Sequence, residues 1–180
     1  INSYCVSSYY DNSHDYEIDF NYSKLRAKGA KISSGGRSPG YKPLEIALEK
    51  IRARLAHIVK RDRKLRSIDC FDIAMFLSEA VLSGGVRRSA SIAIFDHDDK
   101  EMMNAKKGSW WRNEPQRAYA NISAGIKTDG TEDESTTKNI LSYAKEWGEP
   151  GIAFFKSNYH GTNPCAEIGL LGTCIRDGLG

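Results

Sequence analysis

Cysteine is scarce in this sequence, and long apolar runs are missing from it. The 4 cysteines form no CxxC pair and lack the crowding of a secreted disulfide framework, which favours a reducing, cytoplasmic compartment. No apolar stretch reaches the roughly 20 residues of a membrane-spanning helix, and no secretory leader is apparent. We therefore expect neither a disulfide-stapled secreted domain nor a membrane protein.

Charge of either sign is not in large excess, since 26 Lys and Arg face 23 Asp and Glu. The densest basic run, residues 60–66, lacks the interleaved aromatic residues of a single-strand binding surface. Lys and Arg are also favoured at the C-terminal end of a helix by its dipole. We interpret the run as a solvated helix end and loop, and expect no direct contact with nucleic acid.

The two ends do not have the marks of a complete gene product. The chain begins with Ile1 rather than Met, and residues 177–180 (DGLG) have the composition of a turn that nothing follows. The length suits one domain with a substantial core. We expect residues 1–180 to be part of a single domain truncated at both ends.

Hydrophobic periodicity predicts a strand and two helices in the first half. Residues 15–20 alternate acidic and apolar side chains, as a half-buried strand does, and helical spacing follows over 44–58. Ser67 is a plausible N-cap for a second helix, within which Cys70 is expected to be buried. The predicted apolar face of that helix consists of Ile73, Phe76, Leu77, Ala80 and Val81.

The second half predicts further alternation of strands and helices. Short strands are expected at 90–95 and 152–155, and helices at 98–107 and 133–147, with the tryptophans at 110 and 111 in a loop. Alternation of this kind indicates an α/β fold with at least some parallel pairing.

Residues 163–168 (NPCAEI) carry the residue types of a reaction centre. In an extended chain Asn163, Cys165 and Glu167 would share one face, and the intervening proline stiffens the backbone. An amide, a thiol and a carboxyl can together bind a hydroxyl, react through sulfur and move a proton. A buried structural cysteine beside a surface acid fits the same spacing.

Two kinds of sulfur chemistry are open to Cys165. A polar nucleophile needs a thiolate with a base nearby, for which His160 is close in sequence. A hydrogen-abstracting sulfur needs a dry site and an external radical source. The residues alone do not choose between them.

Several motifs in one order resemble the catalytic subunit of ribonucleotide reductases, most closely the adenosylcobalamin-dependent class. Residues 163–168 resemble the finger loop, 67–69 (SID) with 83–90 (SGGVRRSA) the second specificity loop, and 26–36 (RAKGAKISSGG) the approach to the first effector loop. Residues 115–117 (PQR) with Asn121, and 148–151 (GEPG), also follow the order of the family. The resemblance extends from about Tyr16 onward.

The resemblance implies a ten-stranded α/β barrel, of which this chain supplies early strands and the finger loop. It implies an enzyme that reduces ribonucleoside di- or triphosphates to deoxyribonucleotides for DNA synthesis through a thiyl radical. The implied cofactor is adenosylcobalamin, with binding regions mostly outside this chain, rather than a separate iron-bearing subunit. A ribonucleotide substrate, deoxynucleotide and ATP effectors and a thioredoxin-like reductant are the implied partners, and no metal ligand is expected.

The resemblance also assigns roles to residues. Cys165 would take the hydrogen from the ribose 3′ carbon, Glu167 would accept the 3′-hydroxyl proton, and Asn163 would bind the sugar hydroxyls. Contacts to substrate or effector are implied for Ser83, Gly84, Gly85, Arg87, Arg88, Gly35, Gly36 and Arg37. Taken alone, the 83–88 segment favours a plain helix C-cap followed by solvated arginines, and only the resemblance favours ligand contacts.

The sequence departs from the family pattern in two places. Cys174 does not lie in the Cys-Asn-Leu segment that carries one of the reducing cysteines, so we interpret it as a local variant, and Cys5 as structural. Asn121 is followed by isoleucine where the family has a second asparagine. A nucleotide-binding regulatory or inactive paralogue is the alternative hypothesis.

Overall fold

A computed structural model describes residues 19–33, 35–82, 91–128, 134–155, 160–162 and 169–171. The chain divides into two compact units, Ile1–Ser89 and Ala90–Gly180. The strand predicted at 15–20 lies outside the described residues except for Asp19 and Phe20, which are in no strand.

The first unit contains two helices, α1 (Lys42–Lys60) and α2 (Ser67–Leu82). Pro43 lies in the first turn of α1, where its missing amide proton costs no helical hydrogen bond. The helices pack through a cluster at the predicted helical spacing, which consists of Ile51, Leu55, Ile58, Ile73 and Phe76, with Leu77 against it.

Three predictions for α2 were wrong: Ser67 as its N-cap, Cys70 as a buried residue, and Val81 as part of its apolar face, since Val81 is 63% exposed. Ser67 is its first helical residue rather than its N-cap, because the carbonyl of Arg66 already accepts the amide protons of Asp69 and Cys70. Cys70 is exposed, since it shares a helical face with the exposed Val81 rather than with the core.

The second unit is built on a parallel sheet of three strands in the order β1 (Ser91–Asp96), β2 (Ala120–Lys127), β3 (Gly151–Phe155). Between them lie the one-turn helices α3 (Lys100–Met103) and α4 (Trp110–Asn113), a 3-10 helix (Pro115–Tyr119) and α5 (Glu134–Ala144). An antiparallel pair follows, β4 (His160–Thr162) and β5 (Gly169–Leu171).

Strand β2 was not predicted, although it is the centre of the sheet. Its residues alternate between buried and more exposed, and Ala124 and Ile126 join Met103 and Ile140 in the core. The period-2 signal was present in the sequence but weak, because every residue of the strand except Ile122 and Ile126 is small or polar.

The helices of this unit are shorter than predicted. The first ends at Met103, while the tryptophans expected in a loop begin the single turn of α4. Within α5, Ile140 is fully buried, whereas Leu141 is 55% exposed. Trp147 lies beyond the end of α5 and packs on Trp111, with 4.7 Å between the ring centroids.

The parallel sheet confirms an α/β fold with parallel pairing, while the ten-stranded barrel stays a prediction. Of the helices that the described ranges contain, none is both long and apolar enough to cross a membrane.

The described surface predicts how the 180-residue chain behaves when expressed alone. Val81, Phe154 and Leu141 expose 63%, 57% and 55% of their surface, and within the described residues β1 and β3 pair on one side only. We expect an inactive protein that loses its circular dichroism over a broad temperature range. A sharp cooperative melt would contradict this.

Candidate functional site

The finger-loop motif lies between the antiparallel strands β4 and β5. Thr162 is opposite Gly169 and His160 is opposite Leu171, so the two ends of the connecting segment are held next to each other. The segment itself, with Asn163, Cys165 and Glu167, lies outside the described residues. Residues 172–180, with Cys174, and residues 1–18, with Cys5, also lie outside them.

The predicted substrate loop follows α2. Ser83, Gly84, Gly85, Arg87 and Arg88 lie outside the described residues, but the helix that leads to them is described as far as Leu82. The contacts that hold α2 in place therefore fix where this segment begins.

Asp69 fixes the start of α2 through a buried carboxylate. Its side chain is 0% exposed and accepts two hydrogen bonds from the guanidinium of Arg63, at 2.5 and 3.0 Å. It also accepts from the backbone amide and Nε of Arg66, both at 3.2 Å. The bond to the Arg66 amide is half of a capping box, in which the third helical residue reaches back to the N-cap.

Hydrogen bonding dominates the ionisation of this carboxylate. Burial alone would raise the pKa of Asp69, but the hydrogen bonds from Arg63 and Arg66 outweigh it and hold that pKa well below its usual value. A second fully buried carboxylate, Asp72, lies 3.4 Å from the guanidinium of Arg54 on α1. Ion pairs thus join α2 both to α1 and to the loop between the helices.

These contacts refine the interpretation of the basic run at 60–66. The run is a helix end and a loop, as predicted. However, Arg63 and Arg66 are not simply solvated, because both neutralise Asp69.

The predicted effector residues lie in a short hairpin. Lys31 and Arg37 form an antiparallel bridge, and the amides of Gly29 and Ser38 donate to the carbonyls of Ser38 and Ala30 at 2.8 and 2.7 Å. Gly35 has a φ of +87°, which favours glycine, and its amide donates to the carbonyl of Ile32 at 3.1 Å. The glycine therefore shapes the turn.

Arg37 is the group of this hairpin best suited to an anion. Its side chain is exposed, and one end of the guanidinium is fixed by a 3.0 Å hydrogen bond to the carbonyl of Gly29. Residues 20–41 contain no Asp or Glu, and their cations are Lys24, Arg26, Lys28, Lys31 and Arg37. This uncompensated positive charge favours a phosphate ligand.

A buried ion pair in the second unit was missed by the sequence analysis. Lys106 is 6% exposed, and its ammonium donates to the Glu149 carboxylate and to the carbonyl of Ala120, both at 2.5 Å. The other oxygen of Glu149 accepts the amide proton of Ile122 at 2.9 Å. Lys106 and Glu149 together therefore hold the backbone at the start of β2.

The motifs at 115–117 and 148–151 now have structural roles. Glu149 belongs to the ion pair, Gln116 is buried, and Arg117 donates to the carbonyl of Ala105 at 2.7 Å. Only the resemblance pointed to these residues, and nothing in the sequence identified Lys106 as their partner.

The Asp69 ion pair predicts a pH-dependent loss of stability in Asp69→Asn. We expect the variant of the full-length protein to be destabilised by roughly 2–4 kcal/mol at neutral pH, since Arg63 and Arg66 would lose the carboxylate that neutralises them. Because the folded pKa is lowered, the stabilisation is present above the unfolded pKa of about 4 and is lost as the pH falls through the folded pKa.

Thermal unfolding of the wild type and Asp69→Asn from pH 7 to pH 3 measures this effect. The gap between the two melting temperatures should narrow below about pH 4. Glu134→Gln is the control, because that carboxylate is 80% exposed and pairs only on the surface. A gap independent of pH would contradict the ion-pair account.

Comparisons with known proteins give one consistent result. The chain is 32% identical over 165 residues to the adenosylcobalamin-dependent ribonucleoside-triphosphate reductase of Lactobacillus delbrueckii subsp. bulgaricus, covering 82% of this chain and 22% of that protein. It is 28% identical over 173 residues to the enzyme of that name from Euglena gracilis, covering 87% and 23%. The probable reductase of Dictyostelium discoideum is 30% identical over 139 residues, covering 75% and 17%.

The chain thus spans about a fifth of the length of the curated relatives that it matches. No protein-family model matches it, and no solved structure matches it significantly. The matches confirm the resemblance inferred from the motifs. The chain is related to an internal segment of the adenosylcobalamin-dependent ribonucleotide reductases.

Proposed function

We propose that this chain carries the finger loop and the effector loop of a ribonucleotide reductase. The observation that carries the proposal is the match to reductases over 75–87% of the chain. The motifs that resemble the finger loop and the approach to the effector loop occur in the sequence in the family order. The relatives are named ribonucleoside-triphosphate reductases, which favours a ribonucleoside triphosphate as the substrate. The product would be a deoxyribonucleotide for DNA synthesis.

In this proposal Cys165 performs the first chemical step. Its sulfur, as a thiyl radical, removes the hydrogen atom from the ribose 3′ carbon and becomes a thiol. Glu167 accepts the proton of the 3′-hydroxyl, and Asn163 binds the sugar hydroxyls. The 2′-hydroxyl then leaves as water, with two electrons from a pair of cysteines for which this chain offers no assigned member.

The pairing of β4 with β5 supports this role for the loop between them. With Thr162 opposite Gly169, both ends of the segment are anchored by a strand pair. Anchoring at both ends reduces the conformational freedom of the loop, and the proline adds its own restraint. Catalytic groups need restraint of this kind, because small misplacements of the reacting atoms slow the reaction strongly.

The two nucleotide loops are proposed to have separate ligands. Ser83, Gly84, Gly85, Arg87 and Arg88 would contact the substrate, with Arg87 at the base. In the hairpin, Arg37 would bind the phosphates of a deoxynucleotide or ATP effector, while Gly35 and Gly36 form the turn. The positive charge of the hairpin supports this assignment.

The cofactor and the surroundings of the chain follow from the relatives. Their names state a dependence on adenosylcobalamin, which we propose as the radical source. The described residues do not fit that cofactor, because the cavity described in the first unit is an open groove with three carboxylates in its lining. We therefore place its site outside the described residues, in a cytoplasmic ten-stranded barrel enzyme that uses a thioredoxin-like reductant.

Substitution of Cys165 tests the proposal in the full-length protein. We expect Cys165→Ser to abolish deoxyribonucleotide formation, because an alcohol O–H bond is too strong for oxygen to replace sulfur in this exchange. Formation of product from a labelled ribonucleoside triphosphate, with adenosylcobalamin and a dithiol, is the measurement. Nucleotide binding should persist in the variant.

Cys174→Ser is the matched control, since this cysteine is nearby in sequence and has no assigned role. It should retain activity. Formation of deoxyribonucleotide by the Cys165→Ser variant would contradict the radical proposal. A wild-type protein that binds nucleotides but makes no product would support the inactive paralogue.

Arg37→Gln tests the effector site separately. Loss of the guanidinium should raise the effector concentration needed for half-maximal stimulation by about tenfold, as expected for one charge-assisted hydrogen bond to phosphate. Activity without effector should change little. Lys138→Gln, an exposed cation on α5, serves as the control. An unchanged effector response in Arg37→Gln would remove this residue from the site.

A further inference from the structure

The first unit contains a groove that the proposed function does not use. It has a volume of about 590 Å³ and lies between the chain before the hairpin and the first turns of α1. Its size is in the range of pockets that bind small ligands or single side chains. Aromatic rings and carboxylates dominate its lining.

The aromatic part of the groove is a ladder of three rings. Phe20 and Tyr22 stack with 6.3 Å between centroids and 27° between planes. Tyr22 and Tyr41 stack at 5.4 Å and 23°. Tyr41 is 47% exposed, so the ladder is accessible at the end formed by this residue. Nearly parallel rings offer flat, electron-rich faces to a planar partner.

The charged part of the groove is mainly negative. Asp19, Glu45 and Glu49 line it, and among its described lining residues Arg52 alone carries a positive charge. The Arg52 guanidinium is 3.9 Å from Glu49, which is a loose contact, whereas Glu45 pairs closely with Lys42. Asp19 has no ion-pair partner among the residues that the structure describes. A cation is therefore favoured here, and a phosphate or carboxylate is disfavoured.

The carboxylates are close enough to affect the aromatic ladder. Burial raises the pKa of the Tyr22 phenol above its usual value, and the charges of Glu45 and Glu49 raise it further, against a smaller lowering by Arg52. A ligand in the groove would therefore contact acidic and aromatic groups together.

We propose that this groove binds the guanidinium group of an arginine side chain presented by a polypeptide. Among biological cations, guanidinium is planar, stacks on aromatic faces and donates a fork of hydrogen bonds that matches carboxylates. A polypeptide partner with an exposed arginine is the favoured source, because the groove is open and leaves room for the backbone that carries the side chain. The proposal is independent of the reductase chemistry.

Calorimetric titration of the full-length protein with the blocked tripeptide Ala-Arg-Ala tests the proposal. The matched ligand carries citrulline in place of arginine, which keeps the shape and removes the charge. We expect the arginine peptide to bind at least about tenfold more tightly than the citrulline peptide. Equal binding of the two peptides, or no binding of either, would overturn the proposal.

Variants assign the binding to the groove. Glu49→Gln and Tyr22→Ala should each weaken arginine binding roughly threefold to tenfold, as loss of one ion pair or one cation–π contact predicts. Glu79→Gln is the control, because this carboxylate on α2 pairs with Lys50 of α1 but does not line the groove. Unchanged binding in both groove variants would overturn the assignment.

Agmatine distinguishes the two sources of guanidinium. It carries this group on a small molecule without the peptide backbone. Tighter binding of the tripeptide supports a polypeptide partner, whereas tighter binding of agmatine contradicts that part of the proposal. Reductase activity, measured in the same variants, should be unaffected, so the outcome does not depend on the proposed function.

Discussion

A buried charge must keep its counter-charge, and each of the two units is organised by that requirement. In the first unit Asp69 is fully buried, and its carboxylate ties the loop after α1 to the first turn of α2. In the second, Lys106 joins the turn after α3 to the start of β2 and to Glu149, just before β3. Loss of the partner of either charge would lower the free energy of unfolding substantially, because a folded domain is only marginally stable.

These interactions give a structural role to two of the motifs that resemble the reductase family. The aspartate of the SID motif holds a helix start, and the glutamate of the GEPG motif holds a strand start. Their role is to position backbone. The residues proposed to carry chemistry are instead in connections: the loop after α2, and the segment between β4 and β5. Loops on a rigid scaffold are where binding and catalytic residues concentrate.

Sequence alone predicted the elements with strong apolar periodicity. The packed faces of α1 and α2, and the strand that became β3, were found in this way. Strand β2 was missed because its alternation is carried largely by alanine and polar residues, which favour strands weakly. Cys70 was placed in the core because an apolar helix face was assumed to be wider than it is.

The candidate site shows a similar division. The resemblance predicted the nucleotide loops and the finger loop, and these assignments stay predictions. Spacing alone left Cys165 as either a reactive or a structural thiol. The Lys106–Glu149 pair could not be predicted, because its members are 43 residues apart and each is an ordinary charged residue in sequence. Long-range pairing of this kind depends on how the sheet brings the chain together.

The central claim is that the sulfur of Cys165 faces the sugar of a bound ribonucleotide. A structure of the full-length protein with its substrate measures this directly. The account predicts that Sγ lies in van der Waals reach of the ribose 3′ carbon, at about 3.5–4 Å, with the Asn163 amide and the Glu167 carboxyl turned to the same sugar. A thiol sealed in apolar packing, or three side chains that point apart, would contradict it.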